Sequence, residues 1–186
     1  GGESMDNIEV EYAKSKGIHV INTPNAFAKS VAELVFAHFL TLIRFLHDSN
    51  RNMPLEGDTK FAFLKKSYEK ATELSGKTLG IMGFGNIGKE VAKIGIGLGM
   101  KIIFYTRKPK TDTVSLEFFD GRTIDFEFTS TNDMEAFLKE ADFISINTSE
   151  TTEYIIDTPE FEMMKDGVFI VNTAKGGVIN EVTLND

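Results

Sequence analysis

The feature that most constrains this chain is the run Gly83-Phe84-Gly85-Asn86-Ile87-Gly88. It follows an apolar stretch, residues 78–82, and opens a segment of helical pattern, residues 86–97. A glycine-rich run alone is weak evidence of a ligand. Between a strand and a helix, inside a unit of about 30 residues, each glycine acquires a reason. The first permits a tight turn, the second lets backbone approach a pyrophosphate, and the third lets helix pack closely on strand. The helix start then offers N–H groups and partial positive charge to an anion. Gly83, Gly85, Asn86, Ile87 and Gly88 are therefore candidate dinucleotide-binding residues. The competing explanation is a tight turn that holds no ligand.

Beyond this run, strands and helices alternate. Residues 101–105 read as a strand, and 132–141 as a helix with Asn132 and Glu135 as a capping box. Residues 143–147 read as a strand, Thr158-Pro159 opens a helix that stops at Gly167, and 168–171 form a strand. Asn180 is placed to cap a further helix, broken off at Asp186. Such alternation predicts an α/β fold, a Rossmann-like doubly wound parallel sheet covered on both faces. The pattern breaks off before the last strands of such a sheet. Residues 116–119 and 123–128 flank Asp120-Gly121 and read as a hairpin, whose second arm is expected to be the sheet's third strand.

Upstream, residues 7–16 are helix-compatible with Gly17 as the stop, and 18–21 read as a short strand broken by Thr23-Pro24. Residues 28–50 read as one long helix, apolar nearly all round. Such a helix must be covered on more than one side, either by its own core or by a partner subunit. Residues 52–70, with Pro54 and Gly57, read as a loop with a short helix.

Composition removes several function classes. The formal net charge of -8 gives no counterion-release drive toward a phosphate backbone, so no nucleic-acid partner is expected. The absence of cysteine excludes disulfides, thiol catalysis and Cys-based zinc sites, and fits a reducing compartment. His19, His38 and His47 lack metal-ligand spacing. The chain opens polar and acidic, and its most apolar stretch, residues 31–46, is shorter than a bilayer crossing and carries Glu33, His38 and Arg44. A soluble, cytoplasmic protein without a membrane partner is expected.

The end of the second strand bears on which dinucleotide binds. NAD sites usually carry an acid there for the ribose 2′-OH. This chain has Thr106-Arg107-Lys108 instead. A carboxylate would repel a 2′-phosphate, whereas Thr106 can hydrogen-bond to it and Arg107 and Lys108 can neutralise it. NADP is the expected cofactor, with NAD as the alternative; a solvated basic loop is the competing explanation.

These residues, taken together, resemble the D-isomer-specific 2-hydroxyacid dehydrogenases, the group that holds phosphoglycerate dehydrogenase and the glyoxylate/hydroxypyruvate reductases. The resemblance rests on Asp6-Asn7-Ile8, on Asn22-Thr23-Pro24 leading to Val31-Ala32-Glu33-Leu34, and on Gly76-Lys77-Thr78-Leu79-Gly80-Ile81. It continues through the glycine run, Gly99-Met100-Lys101, Met164-Lys165-Asp166-Gly167 and Asn172-Thr173-Ala174-Lys175-Gly176-Gly177. It implies a hinge segment of a substrate domain at residues 1–26. An NAD(P)-binding domain with a long dimerisation helix follows at residues 27–186, in a homodimer.

The implied chemistry is hydride transfer between a nicotinamide and a small 2-keto or 2-hydroxy acid. The family's arginine, which holds the substrate carboxylate, falls at Lys175, which keeps the charge but loses the bidentate fork. The resemblance also places Asn147 and Thr148, and Thr173 and Ala174, beside the cofactor. Where the family has proline after the fourth strand, this chain has Ser149-Glu150. Residues 2–5 match a glycine-rich loop that meets the substrate carboxylate, with Glu3 and Ser4 as unusual occupants. The family's proton-moving histidine is matched by none of the three histidines, so the chain as given is expected to bind cofactor without turning over substrate. The alternative is a dinucleotide-sensing, corepressor-like dimerisation module.

Overall fold

The structure is a computed structural model and describes residues 5, 7–23, 25–149 and 153–185. Its centre is a parallel sheet of four strands: β1 (Thr78–Met82), β2 (Lys101–Tyr105), β5 (Phe143–Ile146) and β6 (Phe169–Asn172). They lie in the order β2-β1-β5-β6. All five residues of β1 are buried, as a strand covered on both faces requires. One face is covered by α2 (Ala28–Ile43) and α4 (Asn86–Gly97), which bring Phe36, Phe39 and Val91 against Leu79 and Ile81. The other is covered by α5 (Met134–Glu140) and α6 (Thr158–Met163), with Phe137 and Leu138 against Met82 and Ile144. Two glycines set the spacing of these layers. A Cβ on Gly80 would lie 2.7 Å from Phe137 Cζ, and one on Gly95 would lie 2.8 Å from Ile102 Cδ1.

The expected Rossmann-like α/β sheet is present, and the boundaries of β1, α4 and β2 agree with the sequence. Several local readings need correction. The long helix of residues 28–50 is two helices, α2 and α3 (Leu46–Ser67), bent by 51°. Phe45 takes a left-handed backbone at the break, φ 53°, and its ring stacks on Tyr68 at 5.8 Å. A left-handed non-glycine residue costs about 1 kcal/mol, which a stacked aromatic pair of similar worth offsets. Residues 52–70 are then mostly helix, not loop, with Pro54 inside α3 and non-helical backbone at Lys60. The carbonyl that Pro54 leaves without an N–H belongs to exposed Asn50, where water can satisfy it.

The short strand at residues 18–21 is absent: the segment is irregular and Ile21 is 86% exposed. The hairpin forms, from β3 (Thr111–Glu117) and β4 (Thr123–Thr129), but its second arm does not become the third strand. The two arms satisfy each other along their whole length, Thr111 opposite Thr129 through Glu117 opposite Thr123. The chain just after β4 pairs with the sheet, through one parallel bridge between Tyr105 and Thr131.

Capping residues also shift by one. Asp133, not Asn132, caps α5 by accepting the Ala136 N–H, and Asp157, not Thr158, caps α6 in a full capping box with Glu160. The helix expected after Asn180 is a short 3-10 turn, Thr183–Asn185. The leading helix is present as α1 (Val10–Ser15). No single helix among the described residues is long and apolar enough to cross a membrane.

Candidate functional site

The chain runs from β1 outward to β2, then crosses back to β5 on the other side of β1. A crevice outside the carboxyl ends of the strands at such a reversal is where open α/β sheets bind ligands. A cleft of about 820 Å³ lies there, bordered by Met82, Gly83, Thr106, Arg107 and Thr148, with Met134 and Tyr154 among its other walls.

The glycine run borders it through Gly83, while Asn86 borders a smaller hollow beside it. Gly83 has φ 89°, and a Cβ on it would lie 2.6 Å from the Asn147 carbonyl carbon. The ends of β1 and β5 are also joined there by the Asn147 N–H, which donates to the Met82 carbonyl at 2.8 Å. A Cβ on Gly88 would lie 2.3 Å from the Gly83 carbonyl oxygen. Gly85 faces open space, with nothing within 4 Å of a Cβ. It is the N-cap of α4, and no side chain caps that helix. Backbone is thus free to approach an anion at one glycine while its two neighbours lock the loop.

Asn86 and Ile87 form the first turn of α4. Phe84 turns inward and stacks on Phe104 of β2, ring centres 3.9 Å apart.

The residues after β5 and β6 meet. Thr173 Oγ1 lies 2.9 Å from Asn147 Oδ1, and Asn147 Nδ2 donates to Ser145 Oγ at 3.0 Å. Ser145 is fully buried. Thr148 Oγ1 is buried without a hydrogen-bond partner among the described residues. An orphaned hydroxyl on the cleft wall is costly in the empty protein and marks a place for a ligand's polar group. Together with the glycine cradle, it shows that these residues fit a dinucleotide. Ala174 follows Thr173 and is half-buried, its N–H held by Asn172 Oδ1 at 2.9 Å. Lys175 is exposed on the same loop. It does not border the cleft.

The other end of the cleft is the turn after β2. Arg107 borders the cleft, whereas Lys108 is exposed beside it. Thr106 Oγ1 is hydrogen-bonded to the Lys108 carbonyl at 2.8 Å and to Ser130 Oγ at 2.6 Å. The hydroxyl expected to meet a 2′-phosphate therefore shapes the turn. Ser130, Met134 and Tyr154 escaped the sequence reading. They come from the end of the hairpin, the start of α5 and the loop before α6; tertiary packing brings Met134 and Tyr154 to the cleft and Ser130 against the turn after β2.

A smaller hollow, about 400 Å³, lies between the start of α2, α4 and β3. Two of its lysines are neutralised in place: Lys89 pairs with Asp112 at 2.5 Å and Lys93 with Glu90 at 2.7 Å. Partial burial works to raise the Asp112 carboxyl, but Lys89 and Lys110 beside it hold it below its ordinary range. No group of three or more metal-ligating side chains is present among the described residues. The expected substrate loop at residues 2–4, together with Asp6, Pro24 and Glu150, lies outside the described residues.

Comparison with known proteins agrees with this geometry. Residues 36–186 match the family described as D-isomer specific 2-hydroxyacid dehydrogenase, NAD binding domain. A hydroxypyruvate reductase of Thermotoga maritima is 44% identical over 98% of this chain and 54% of its own. A glyoxylate reductase of Thermococcus litoralis is 36% identical over 94% of this chain and 51% of its own. The crystal structure of D-lactate dehydrogenase from Aquifex aeolicus, complexed with NAD and lactic acid, superposes with a TM-score of 0.66. It is 32% identical and covers 97% of this chain and 50% of its own. The chain spans about half the length of the curated relatives it matches.

Proposed function

The chain belongs to the D-isomer-specific 2-hydroxyacid dehydrogenase family, as its NAD-binding domain, and from that premise we propose that it serves a reductase of small 2-keto acids that uses NADPH in preference to NADH. The observation that carries the reading is the glycine cradle. Gly83 and Gly88 admit no side chain, Gly85 is open, and the uncapped start of α4 stands behind it. The bound dinucleotide would supply a hydride at its nicotinamide ring. Gly83, Gly85, Asn86, Ile87 and Gly88 hold its phosphates, with the partial charge of α4 behind them. Asn147, Thr148, Thr173 and Ala174 form the nicotinamide side, where Thr148 Oγ1 gains its missing partner.

NADPH preference is supported by the absence of an acid after β2 and by Arg107 on the cleft wall. A guanidinium matches a phosphate with two parallel hydrogen bonds, and a carboxylate at that place would repel it. Lys108 adds charge nearby. Lys175 is assigned to the substrate carboxylate, as a point charge without the fork of arginine. Hydroxypyruvate and glyoxylate, the substrates named for two relatives, define the size class. None of the three histidines reaches the cleft lining, so the proton donor is assigned to a part of the protein outside this chain.

Residues 1–26 are assigned to a hinge from a substrate domain and 27–186 to the nucleotide domain. Homodimerisation is supported by α2, which buries Ala32, Val35, Phe36 and Phe39 but leaves Leu34 and Leu42 about half exposed. A second subunit would cover that outer face.

The test is titration of the purified protein with NADPH and, separately, NADH, followed by nicotinamide fluorescence at fixed salt. NADPH should bind at least about tenfold tighter, equivalent to about 1.4 kcal/mol. Equal or tighter NADH binding would overturn the preference and keep the fold reading. Binding of neither would overturn the cofactor site itself.

A further inference from the structure

Ser130 stands where the hairpin returns to the sheet, and it is 7% exposed. Its N–H donates to the Lys110 carbonyl at 2.9 Å, and its hydroxyl oxygen accepts the Lys110 N–H at 2.9 Å. The same oxygen lies 2.6 Å from Thr106 Oγ1. One buried hydroxyl therefore ties both ends of the turn 106–110 together, with Arg107 and Lys108 between them. Next to it, the Thr131 N–H donates to the Phe104 carbonyl at 3.0 Å, and the Thr131 carbonyl accepts the Thr106 N–H at 3.0 Å. The turn is also joined to the glycine run. The Lys110 ammonium reaches the Phe84 carbonyl at 3.4 Å and Asp112 at 3.0 Å, lying over the rings of Phe84 and Phe104.

We propose that Ser130 is a positioning residue for dinucleotide selection: through Thr106 and Lys110 it holds the turn that presents Arg107 to the cofactor's ribose phosphate. This rests on the reading that Arg107 selects NADPH. The physical reason lies in the difference between charge and geometry. A cation on a loose turn still attracts a phosphate, but the two-bond alignment of a guanidinium needs a fixed backbone. A ribose without the phosphate makes no such demand, so NADH is indifferent to the turn's order. The hairpin thereby acquires a role at the cleft although its strands lie outside the sheet.

The experiment compares NADPH and NADH dissociation constants in the full-length protein and in its Ser130→Ala, Thr106→Val and Arg107→Ala variants, with melting temperatures taken without cofactor. Ser130→Ala is expected to weaken NADPH about five- to tenfold, the worth of one or two hydrogen bonds, and NADH less than about twofold. Thr106→Val should shift the ratio in the same direction, and the double variant should be no worse than the stronger single one, as for one shared network. Thr106→Val alone carries the test if Ser130→Ala does not fold. Equal losses for both cofactors would mean a merely structural serine and overturn the proposal. An unchanged ratio in Ser130→Ala, with the ratio collapsed in Arg107→Ala, would overturn the proposal and leave the Arg107 reading standing. An unchanged ratio in Arg107→Ala would overturn that reading and the proposal with it.

Discussion

Two loops border the cleft, and they are built on different physics. The loop after β1 is fixed by exclusion: Gly83 and Gly88 sit where any Cβ would collide with backbone, 2.6 Å and 2.3 Å away. The loop after β2 is fixed by side-chain hydrogen bonds, among Thr106, Ser130 and the backbone of Lys108 and Lys110. A steric lock permits almost no variation, whether its wall is near in the chain, as Gly83 is for Gly88, or distant, as Asn147 is for Gly83. A hydrogen-bonded turn depends on a partner many residues away and can be loosened by degrees. The first arrangement suits the diphosphate, which is common to every dinucleotide. Under the proposed function, the second stands where one dinucleotide is told from another.

The sharpest way to break this contrast is at Gly88. Gly88→Ala puts a methyl against a backbone oxygen that cannot move away without opening the β1–α4 turn. A loss of about 3 kcal/mol or more is expected, seen as a large drop in melting temperature or an insoluble protein. Near-normal melting would mean the loop is not sterically locked. Gly85→Ala should do the opposite. Its φ of -90° suits any residue and its surroundings are open. Stability should change by about 1 kcal/mol or less. NADPH binding should nevertheless weaken at least about tenfold, because the methyl stands where the diphosphate approaches. Equal stability losses in the two variants would erase the distinction between lock and opening.

Thr148→Val sharpens the picture at a third strand end. Removing an unpartnered buried hydroxyl should leave melting of the empty protein unchanged or raise its stability by about 1 kcal/mol, while weakening NADPH several-fold. Lower stability of the empty protein together with unchanged binding would show that the hydroxyl does not serve the cofactor.

The smallest effect is expected at the amino ends of the same strands, where Asp142 accepts the Thr78 N–H at 2.8 Å and pairs with Lys165 at 2.8 Å. Partial burial works to raise its carboxyl, but the Lys165 ammonium and the Thr78 N–H hold it below its ordinary value of 3.8. A folded value below the unfolded one gives stability that is present above the unfolded value and lost as pH falls through the folded one. Asp142→Asn should therefore cost about 1 kcal/mol or less near pH 7, and its melting curve should converge on the wild type below about pH 4. NADPH binding should not change. A difference that persists unchanged into acid would assign the effect to packing rather than charge.

Much of the sheet was legible because its signals are local. The buried strand Thr78–Met82, the glycine run and the helix behind it occupy adjacent positions, and Gly88 meets Gly83 and Ile81 within the same unit. The break between α2 and α3 was not legible. It depends on Phe45 stacking on Tyr68, a contact between two aromatic residues that apolar periodicity treats as equivalent to any other. The hairpin was read correctly as a hairpin and misplaced in the sheet. Alternating residues reveal two paired arms, but they do not say whether an arm also pairs outward.

By itself, then, the sequence determined the β1–α4–β2 unit, the glycine loop that opens α4 and the lack of an acid after β2, because local sterics and charge decide these. Tertiary structure alone decided that Thr106 faces Ser130 rather than solvent and that, among the described residues, Thr148 Oγ1 is buried without a partner. It also decided that Arg107 borders the cleft while Lys108 does not. Those facts turn on which distant segments close over the strand ends, and burial and hydrogen-bond geometry are properties of that closure rather than of residue type.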